Sequence, residues 1–258
     1  MTFQKNLITK PDEKIIYKTV GDLKLPMNVY YPTQKKADKM PCVLCVHGGA
    51  WKTDVKANEE FDTSWMDMNA RYYAQMGMVG IAISYRNIDD ENTDILDLIS
   101  DCRDAMKYIK ENLDYVDNDK IVAIGDSAGG HLVSCLGVSQ NDEVRPQLVI
   151  ACNPVLDCER EKWHYCADSS EKRKKASPIY NIGKKASKFL FMHGDSDTVV
   201  EIEGTLKFHK ELKDRGFVSE MIVEKGKGHA FVLFDYQSTD EEAIMYMEQT
   251  MEFINKYL

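Results

Sequence analysis

One serine lies in a glycine-rich stretch, Gly125-Asp126-Ser127-Ala128-Gly129-Gly130. The apolar run before it, residues 121–124, predicts a buried strand, and residues 131–136 after it predict a helix. When G-x-S-x-G joins a strand to a helix, a sharp turn exposes the serine hydroxyl above the sheet. The two glycines of the motif have no Cβ, so the turn can tighten and the helix can pack closely on its neighbours. We therefore predict that Ser127 is a nucleophile.

A second glycine-rich stretch, His47-Gly48-Gly49-Ala50-Trp51, directly follows the apolar run at residues 41–46. Adjacent glycines let main-chain N–H groups approach a ligand without obstruction by side chains. Together with the N–H of Ala128, such donors would bind the oxyanion of a tetrahedral intermediate in acyl transfer. We expect an oxyanion hole here, and the alternative is an ordinary Gly-Gly loop beside a buried tryptophan.

A serine hydroxyl needs a general base to remove its proton and a carboxylate to orient that base. In proteins with this strand–turn–helix motif, the acid follows the serine in the chain and the histidine comes last. Of the six histidines, His229 fits this order, because it lies in the loop between the last predicted strand and the last predicted helix. The other five precede a candidate acid or lie in polar surroundings typical of the surface: His47, His131, His164, His193 and His209.

The carboxylate has two candidates, Asp195 and Asp197, which both follow the predicted strand at residues 188–193. The alternation of side chains along a strand cannot separate them, because both lie in a turn rather than in the strand. The pattern of residues leaves both candidates open.

The remaining sequence predicts the elements that position these residues. Residues 14–20 and 23–31 are expected to form an antiparallel hairpin with its turn at Gly21-Asp22. Apolar runs then alternate with helical patterns, which predicts parallel β-α units. The runs are 41–46, 78–84, 120–125, 147–152, 188–193 and 218–224, and helices are expected after Thr93 and after a capping box at Ser238-Thr239-Asp240-Glu241. We predict one α/β domain over residues 1–258, with roughly eight mostly parallel strands and helices on both faces of the sheet.

Two segments are expected to cover the site. Residues 153–187 lie between two predicted strands and are expected to form a short cap, and residues 52–66 are expected to form an acidic flap. Trp51, Trp163 and Tyr165 are the predicted walls of a substrate pocket; alternatively, the aromatic residues of the cap only seat it on the body. A short cap leaves a cleft rather than a deep tunnel, which favours short acyl groups.

Composition limits the classes of partner. The chain has 258 residues and a formal net charge of −9, which argues against general nucleic-acid binding. No stretch approaches the ~20 apolar residues that span a membrane, and the N-terminus has no apolar signal-peptide core. The seven cysteines lack the spacing of a disulfide scaffold. Cys42 and Cys45 stand three apart in a strand and point to opposite faces, so they form neither a redox pair nor a metal site. We expect a cytoplasmic protein with reduced thiols and with no membrane or nucleic-acid partner.

Taken together, these motifs resemble those of serine carboxylesterases of the α/β-hydrolase superfamily, in the branch of hormone-sensitive-lipase-like and acetyl-xylan or feruloyl esterases. The similar segments are His47-Gly48-Gly49-Ala50-Trp51, Ser84-Tyr85-Arg86, Gly125-Asp126-Ser127-Ala128-Gly129-Gly130-His131, Ser177-Pro178, His193-Gly194-x-x-Asp197-x-x-Val200 and Gly228-His229. The resemblance implies that Asp197 is the acid that orients His229. It also implies that Gly48, Gly49 and Ala128 donate to the oxyanion. An enzyme with this triad requires no metal or organic cofactor.

The sequence therefore predicts hydrolysis of short-chain esters, acetyl to butyryl, with a small-molecule ester as the partner. Acetylated sugars or xylo-oligosaccharides are candidate substrates. Asp54 departs from the glycine that relatives often have at its position, and the H-G-G-x-W form also occurs in kynurenine-formamidase-like enzymes. An arylformamidase or small peptidase with the same triad is the alternative. A non-catalytic receptor on this fold is a more remote one, because receptors of this kind normally lose the serine or the histidine.

Overall fold

The computed structural model describes residues 10–33, 37–52, 56–58, 63–90, 92–234 and 239–258. The strands in these ranges are β1 (Glu13–Val20), β2 (Leu23–Tyr30), β3 (Met40–Val46), β4 (Lys56–Asn58), β5 (Thr63–Ser64), β6 (Val79–Ile83), β7 (Val116–Asp126), β8 (Leu148–Cys152), β9 (Lys188–Gly194) and β10 (Ser219–Glu224). The α-helices are α1 (Trp65–Gln75), α2 (Ile95–Asn112), α3 (Ala128–Gly137), α4 (Ser170–Ala176), α5 (Glu203–Asp214) and α6 (Asp240–Tyr257).

Eight of these strands form one sheet in the order β1-β2-β6-β3-β7-β8-β9-β10. Strand β2 is antiparallel to both β1 and β6, and the other neighbours in the sheet are parallel. The predicted eight-stranded, mostly parallel sheet is therefore confirmed, as is the hairpin that opens it. The crossovers alternate strand and helix, because parallel neighbours need a long connection that an α-helix supplies.

The register of the parallel strands aligns the ends that carry the predicted site. Val46 pairs with Gly125, Asp126 pairs with Cys152, and Cys152 pairs with Met192. Since parallel strands end at the same edge of a sheet, the loops after β3, β7, β8 and β9 meet there. Ligands of open α/β sheets bind at this carboxyl edge.

Both faces of the sheet are covered by apolar clusters. In β3, Cys42 and Leu44 belong to the cluster on one face, whereas Val43 and Cys45 belong to the cluster on the other. All four are fully buried, and burial raises the pKa of the Cys42 thiol. The prediction that Cys42 and Cys45 point to opposite faces is confirmed.

Helices α2 and α6 begin at capping boxes. Asp94 accepts from the N–H of Leu96, and the side chain of Asp97 accepts from the N–H of Asp94 at 3.0 Å. At α6 the box is formed by Thr239 and Glu242, one residue later than predicted; the predicted Ser238 lies outside the described residues. In the described ranges, no helix is both long and apolar enough to cross a membrane.

The structure also differs from the predicted elements at strand β7 and in the flap. Strand β7 begins at Val116 rather than at residue 120, because Val116 pairs with Met40 before an irregularity in the ladder. Of the predicted flap, residues 53–55 and 59–62, including Asp54, lie outside the described residues. The described part forms the antiparallel pair β4 and β5, and residues 65–66 already belong to α1.

Residues 153–187, the predicted cap, contain α4 and two short 3-10 helices, Glu161–Cys166 and Pro178–Tyr180. The segment is tied to the body by an ion pair between Lys172 and Asp94 at 2.8 Å. It is also tied to the loop after β9, because the Lys162 ammonium donates to the carbonyl of Thr198 at 3.4 Å.

Candidate active site

The turn between β7 and α3 places Ser127 at the carboxyl edge of the sheet. Ser127 has φ 51° and ψ −116°, a conformation that residues with a Cβ rarely adopt. Its N–H donates to the carbonyl of Cys152 at 2.9 Å. A Cβ on Gly125 would lie 2.4 Å from the carbonyl carbon of Gly129, and a Cβ on Gly129 would lie 2.0 Å from the carbonyl oxygen of Val46. Glycine is therefore required on both sides of the turn.

Two side chains from separate loops form a chain of hydrogen bonds with Ser127. Nε2 of His229 lies 2.9 Å from Oγ of Ser127, and Nδ1 of His229 lies 2.7 Å from Oδ2 of Asp197. Because a carboxylate accepts, Nδ1 of His229 carries the hydrogen, and Nε2 is left to accept the serine proton. The structure brings together the three residues that the sequence analysis proposed, in the order that proton transfer requires.

The carboxylate of Asp197 accepts from several other groups. Its Oδ1 accepts from the N–H groups of Val199 and Val200 at 2.8 and 2.9 Å, and Nε2 of His193 lies 3.3 Å from its Oδ2. Burial would raise the pKa of Asp197, but hydrogen bonds from His193, His229 and the Val200 N–H outweigh it and hold the pKa well below its usual range. Asp197 is therefore ionised at neutral pH, which is the form that stabilises an imidazolium beside it.

His193 is a neighbour of the acid that the sequence analysis missed. Its Nε2 lies 2.8 Å from the carbonyl oxygen of Val200 and therefore carries a hydrogen, and its Nδ1 lies 2.9 Å from the hydroxyl of Thr205. The spacing of four residues between His193 and Asp197 was the available signal. The place of His193 in the chain excludes it as the base, but it does not exclude a role beside the acid.

The second acid candidate does not reach the histidine. Oδ1 of Asp195 accepts from the N–H of Gly226 at 2.6 Å at an exposed position. Among the other histidines, His164 is exposed as predicted, whereas His209 is half-buried and lies 2.7 Å from the hydroxyl of Ser219.

The loop after β3 has a left-handed backbone at three consecutive residues. The angle φ is 106° at Gly49, 54° at Ala50 and 64° at Trp51. The N–H of Gly48 donates to Oδ1 of Asp126 at 3.0 Å, so this donor is used inside the protein. The prediction that Gly48 donates to the oxyanion is therefore wrong, since its N–H points at a buried carboxylate.

Gly49 and Ala128 are the two remaining donor candidates. Gly49 lines the cavity that contains Ser127. Ala128 is the first residue of α3, where a helix leaves its N–H groups without an acceptor inside the helix. Both N–H groups belong to segments that border the Ser127 hydroxyl, so the two positions are compatible with binding one oxyanion.

Side chains from distant parts of the chain hold the loop. The Tyr85 hydroxyl donates to the carbonyl of His47 at 2.7 Å, and the two rings stack with centroids 4.3 Å apart. Nε1 of Trp51 donates to Nδ1 of His131 at 3.2 Å. Trp51 is fully buried. The prediction that Trp51 lines the substrate pocket is therefore wrong, because its indole N–H finds a partner beneath the loop.

Ser127 opens into a cavity of about 400 Å³. Its bulky walls are Trp65, Val199 and Leu233, none of which the sequence analysis assigned. These residues come from α1, from the loop after β9 and from the segment after β10. No motif marks them, because they meet only in the folded chain.

The two remaining aromatic candidates do not line this cavity. Trp163 is nearly buried and lines a separate cavity of about 430 Å³. Tyr165 is 45% exposed and packs beside Trp51, with the Lys52 ammonium 4.8 Å from its ring centroid.

The arrangement as a whole is suited to acyl transfer. A hydroxyl on a strained turn faces a histidine that a buried, ionised carboxylate orients, and candidate N–H donors lie beside it. Together with the eight-stranded sheet and its helices, this site defines an α/β-hydrolase.

Comparison with known proteins gives the family. The BD-FAE family matches residues 27–161, which is more than half of the chain. The chain belongs to the BD-FAE family, whose members are esterases of the α/β-hydrolase type.

Solved structures of esterase 2 from Thermogutta terrifontis are similar over nearly the whole chain. The esterase phosphoramylated by tabun is 26% identical with a TM-score of 0.83, and the match covers 95% of this chain and 94% of that chain. The propionate-bound form is 26% identical with a TM-score of 0.82, and the match covers 97% of this chain and 95% of that chain.

Curated relatives are longer proteins. Methylphloroacetophenone synthase of Cladonia uncialis is 28% identical over 171 residues, which are 60% of this chain and 6% of that protein. A probable dipeptidyl-peptidase 5 of Emericella nidulans is 24% identical over 255 residues, which are 89% of this chain and 33% of that protein. The chain thus spans a third or less of the length of these relatives.

Proposed function

We propose that the protein hydrolyses carboxylic esters with short acyl groups, acetyl to butyryl, through Ser127, His229 and Asp197. The observation that carries the proposal is the pair of hydrogen bonds that joins them, 2.9 Å from Ser127 Oγ to His229 Nε2 and 2.7 Å from His229 Nδ1 to Asp197. Membership in an esterase family supports the same reaction.

The reaction proceeds in two halves. Ser127 Oγ attacks the ester carbonyl while Nε2 of His229 accepts its proton, and the N–H groups of Gly49 and Ala128 bind the oxyanion. His229 then returns the proton to the leaving alcohol, and the acyl group stays on Ser127. Water attacks the acyl-enzyme with the same base, which releases the acid. Asp197 keeps its proton-free form throughout and stabilises the charged imidazole.

Two observations support short acyl groups. The cavity at Ser127 is about 400 Å³ and is walled by Trp65 and Leu233. A similar esterase has been solved with propionate and with butyrate bound, at 26% and 25% identity. Acetylated sugars remain candidate substrates of the same reaction.

Covalent labelling tests the nucleophile. The similar Thermogutta esterase has been solved phosphorylated by paraoxon, and an activated serine attacks this reagent with loss of p-nitrophenolate. We expect one diethylphosphoryl group per chain in the intact mass, and peptide mapping is expected to place it on Ser127. The Ser127→Ala variant should take up none. A label on another residue would contradict the assignment.

An acyl series tests the substrate. With p-nitrophenyl esters from two to twelve carbons, kcat/KM is expected to peak between two and four carbons and to fall steeply by eight. An optimum at eight carbons or longer would contradict the short-acyl proposal. N-formylkynurenine and dipeptide p-nitroanilides belong in the same panel.

A peptidase is the second candidate. The similarity to dipeptidyl-peptidase 5 covers 89% of this chain. A kcat/KM for a dipeptide substrate above that for every ester would replace the esterase proposal with this one.

A further inference from the structure

A second cavity adjoins the one that contains Ser127. Its volume is about 430 Å³, and it lies between residues 154–163 and the loop after β9. Val199 lines both cavities. Although it is apolar, this side chain is 45% exposed. Val199 therefore stands as the wall between two spaces of similar size.

The chemistry of ester cleavage gives the two spaces different roles. The leaving oxygen must lie next to Nε2 of His229, because that atom returns the proton. Val199 borders this space, since it lines the same cavity as Ser127 and His229. Its N–H also donates at 2.8 Å to Oδ1 of Asp197, the acid that orients His229. Because Val199 also lines the second cavity, that cavity is the space next to Val199 that is open to a leaving group extending beyond the Ser127 cavity.

The walls of the second cavity define the chemistry of its occupant. Its inner surface is apolar and includes Val155, Leu156 and Trp163. Its two basic side chains already have partners: Arg160 lies 2.6 Å from Glu201, and the Lys162 ammonium donates to the carbonyls of Thr198 and Val199. The apolar inner walls favour an apolar ring, and an anion is disfavoured because it would lose water without gaining a free basic partner.

We propose that the second cavity is the subsite for the alcohol portion of the substrate and that it takes an alcohol with a neutral apolar ring. The inference rests on the proposed ester hydrolysis. It adds to that reaction a binding subsite for the alcohol, bounded by Val199 and Trp163. The positions of Ser127, His229 and Asp197 alone do not specify this subsite.

Gly204 provides a way to fill the subsite. It lies near the start of α5 and lines the second cavity but not the first. A Cβ at Gly204 would meet no atom within 4 Å, so a larger side chain can grow into the cavity without an initial clash. Gly204→Trp would fill the space, Gly204→Leu would fill part of it, and Gly204→Ala is the matched control.

The test compares ethyl acetate with 2-phenylethyl acetate, which share the acyl group and differ in the ring. For Gly204→Trp we expect kcat/KM for 2-phenylethyl acetate to fall about tenfold or more, mainly through KM. Ethyl acetate should stay within about twofold of the wild-type protein. Gly204→Leu should give a smaller loss in the same direction, and Gly204→Ala none. In the wild-type protein, 2-phenylethanol should inhibit ethyl acetate hydrolysis competitively, and Gly204→Trp should weaken this inhibition.

The outcomes separate this inference from the proposed function. Equal losses for both acetates, or no loss for either with the fold retained, would overturn the alcohol subsite. So would a change in the preference among ethyl esters of different acyl length, because the filled cavity would then hold the acyl group. Absence of both ester hydrolysis and paraoxon labelling in the wild-type protein would instead overturn the proposed function.

Discussion

The two sides of the Ser127 site are built in different ways. On the acid side, Asp197 receives hydrogen bonds from two neighbouring N–H groups and lies close to His193, all within eight residues of chain. On the opposite side, the loop of residues 47–51 has three consecutive positive φ angles. Side chains far away in sequence hold it: Asp126, Tyr85 and His131. Local hydrogen bonds fix the acid, whereas tertiary contacts fix the strained loop.

This difference predicts where a single substitution does most harm. A change at the acid removes the orientation of the base and leaves the surrounding backbone in place. A change at the strained loop also affects the supports that keep it in its conformation.

Asp197→Asn should lower kcat by about 10⁴, because an amide cannot stabilise the imidazolium and favours the wrong tautomer of His229. Asp195→Asn is the matched control on the same loop, and its kcat should stay within about threefold of the wild-type value, since Asp195 contacts Gly226 rather than the histidine. Steady-state kinetics on a short-chain ester measure both. The reverse ranking of the two variants would reject Asp197 as the acid.

Gly49→Val should lower kcat by about 10²–10³, the usual cost of losing one oxyanion donor. A β-branched residue does not adopt the φ of 106° found at Gly49. Gly21→Val is a control with a positive φ of 57° in a turn where a Cβ meets nothing within 4 Å. It should lower the unfolding midpoint and leave kcat unchanged. Full activity of Gly49→Val would show that this N–H is not part of the hole.

Asp126→Ala should lower kcat by about 10–100-fold, because the N–H of Gly48 loses its acceptor and the loop loses a support. Asp126→Asn keeps an acceptor oxygen and should recover most of the activity. A merely structural carboxylate would lower the unfolding midpoint of both variants and leave kcat alone. Equal kcat in Asp126→Ala and Asp126→Asn would contradict the positioning role.

The buried His131 is expected to affect the stability of the fold rather than the rate of the reaction. Burial lowers the pKa of His131 to about 4, despite the hydrogen bond to the carbonyl of Ala176. An unfolded histidine titrates near about 6.5, so between pH 6.5 and 4 the unfolded chain binds more protons. The free energy of unfolding should therefore decrease as the pH is lowered from about 6.5 to about 4, by up to about 3 kcal/mol from this residue.

The variant His131→Gln can still accept from Trp51 and donate to Ala176, but it cannot titrate. Denaturant titrations at several pH values should show a shallower fall in its free energy of unfolding than in the wild-type protein. His164→Gln, at an exposed site, should keep the wild-type slope. An unchanged slope in His131→Gln would mean that His131 is not neutral in the fold.

The same contrast explains how much the sequence could predict. The strands of the main sheet, the turn at Ser127 and the pairing of His229 with an aspartate are encoded in short local patterns. The choice of Asp197 over Asp195 needed the family resemblance, because both lie in one turn. Gly48 was misassigned because the direction of an N–H depends on loop dihedrals that no motif states. Trp51 was misassigned because its partner, His131, lies 80 residues away.

The walls of the Ser127 cavity could not be predicted from the sequence, because they also depend on tertiary contacts. Trp65, Val199 and Leu233 come from three separate elements and meet only after the sheet has assembled. Each of them alone is an ordinary apolar residue, and apolar residues are common at the surface of folded proteins. Only the three-dimensional structure shows that they face the same serine.

The positions of the cysteines make it possible to follow the local opening of different parts of the fold. All seven are free and buried, and they lie in β3, α2, α3, β8 and residues 153–187. A thiol that is shielded from water reacts with a disulfide reagent only when its part of the fold opens. Cys158 lies in residues 153–187, Cys102 in α2 and Cys42 in β3. The order in which these three thiols become modified would therefore give the order in which the three regions open, without any introduced label.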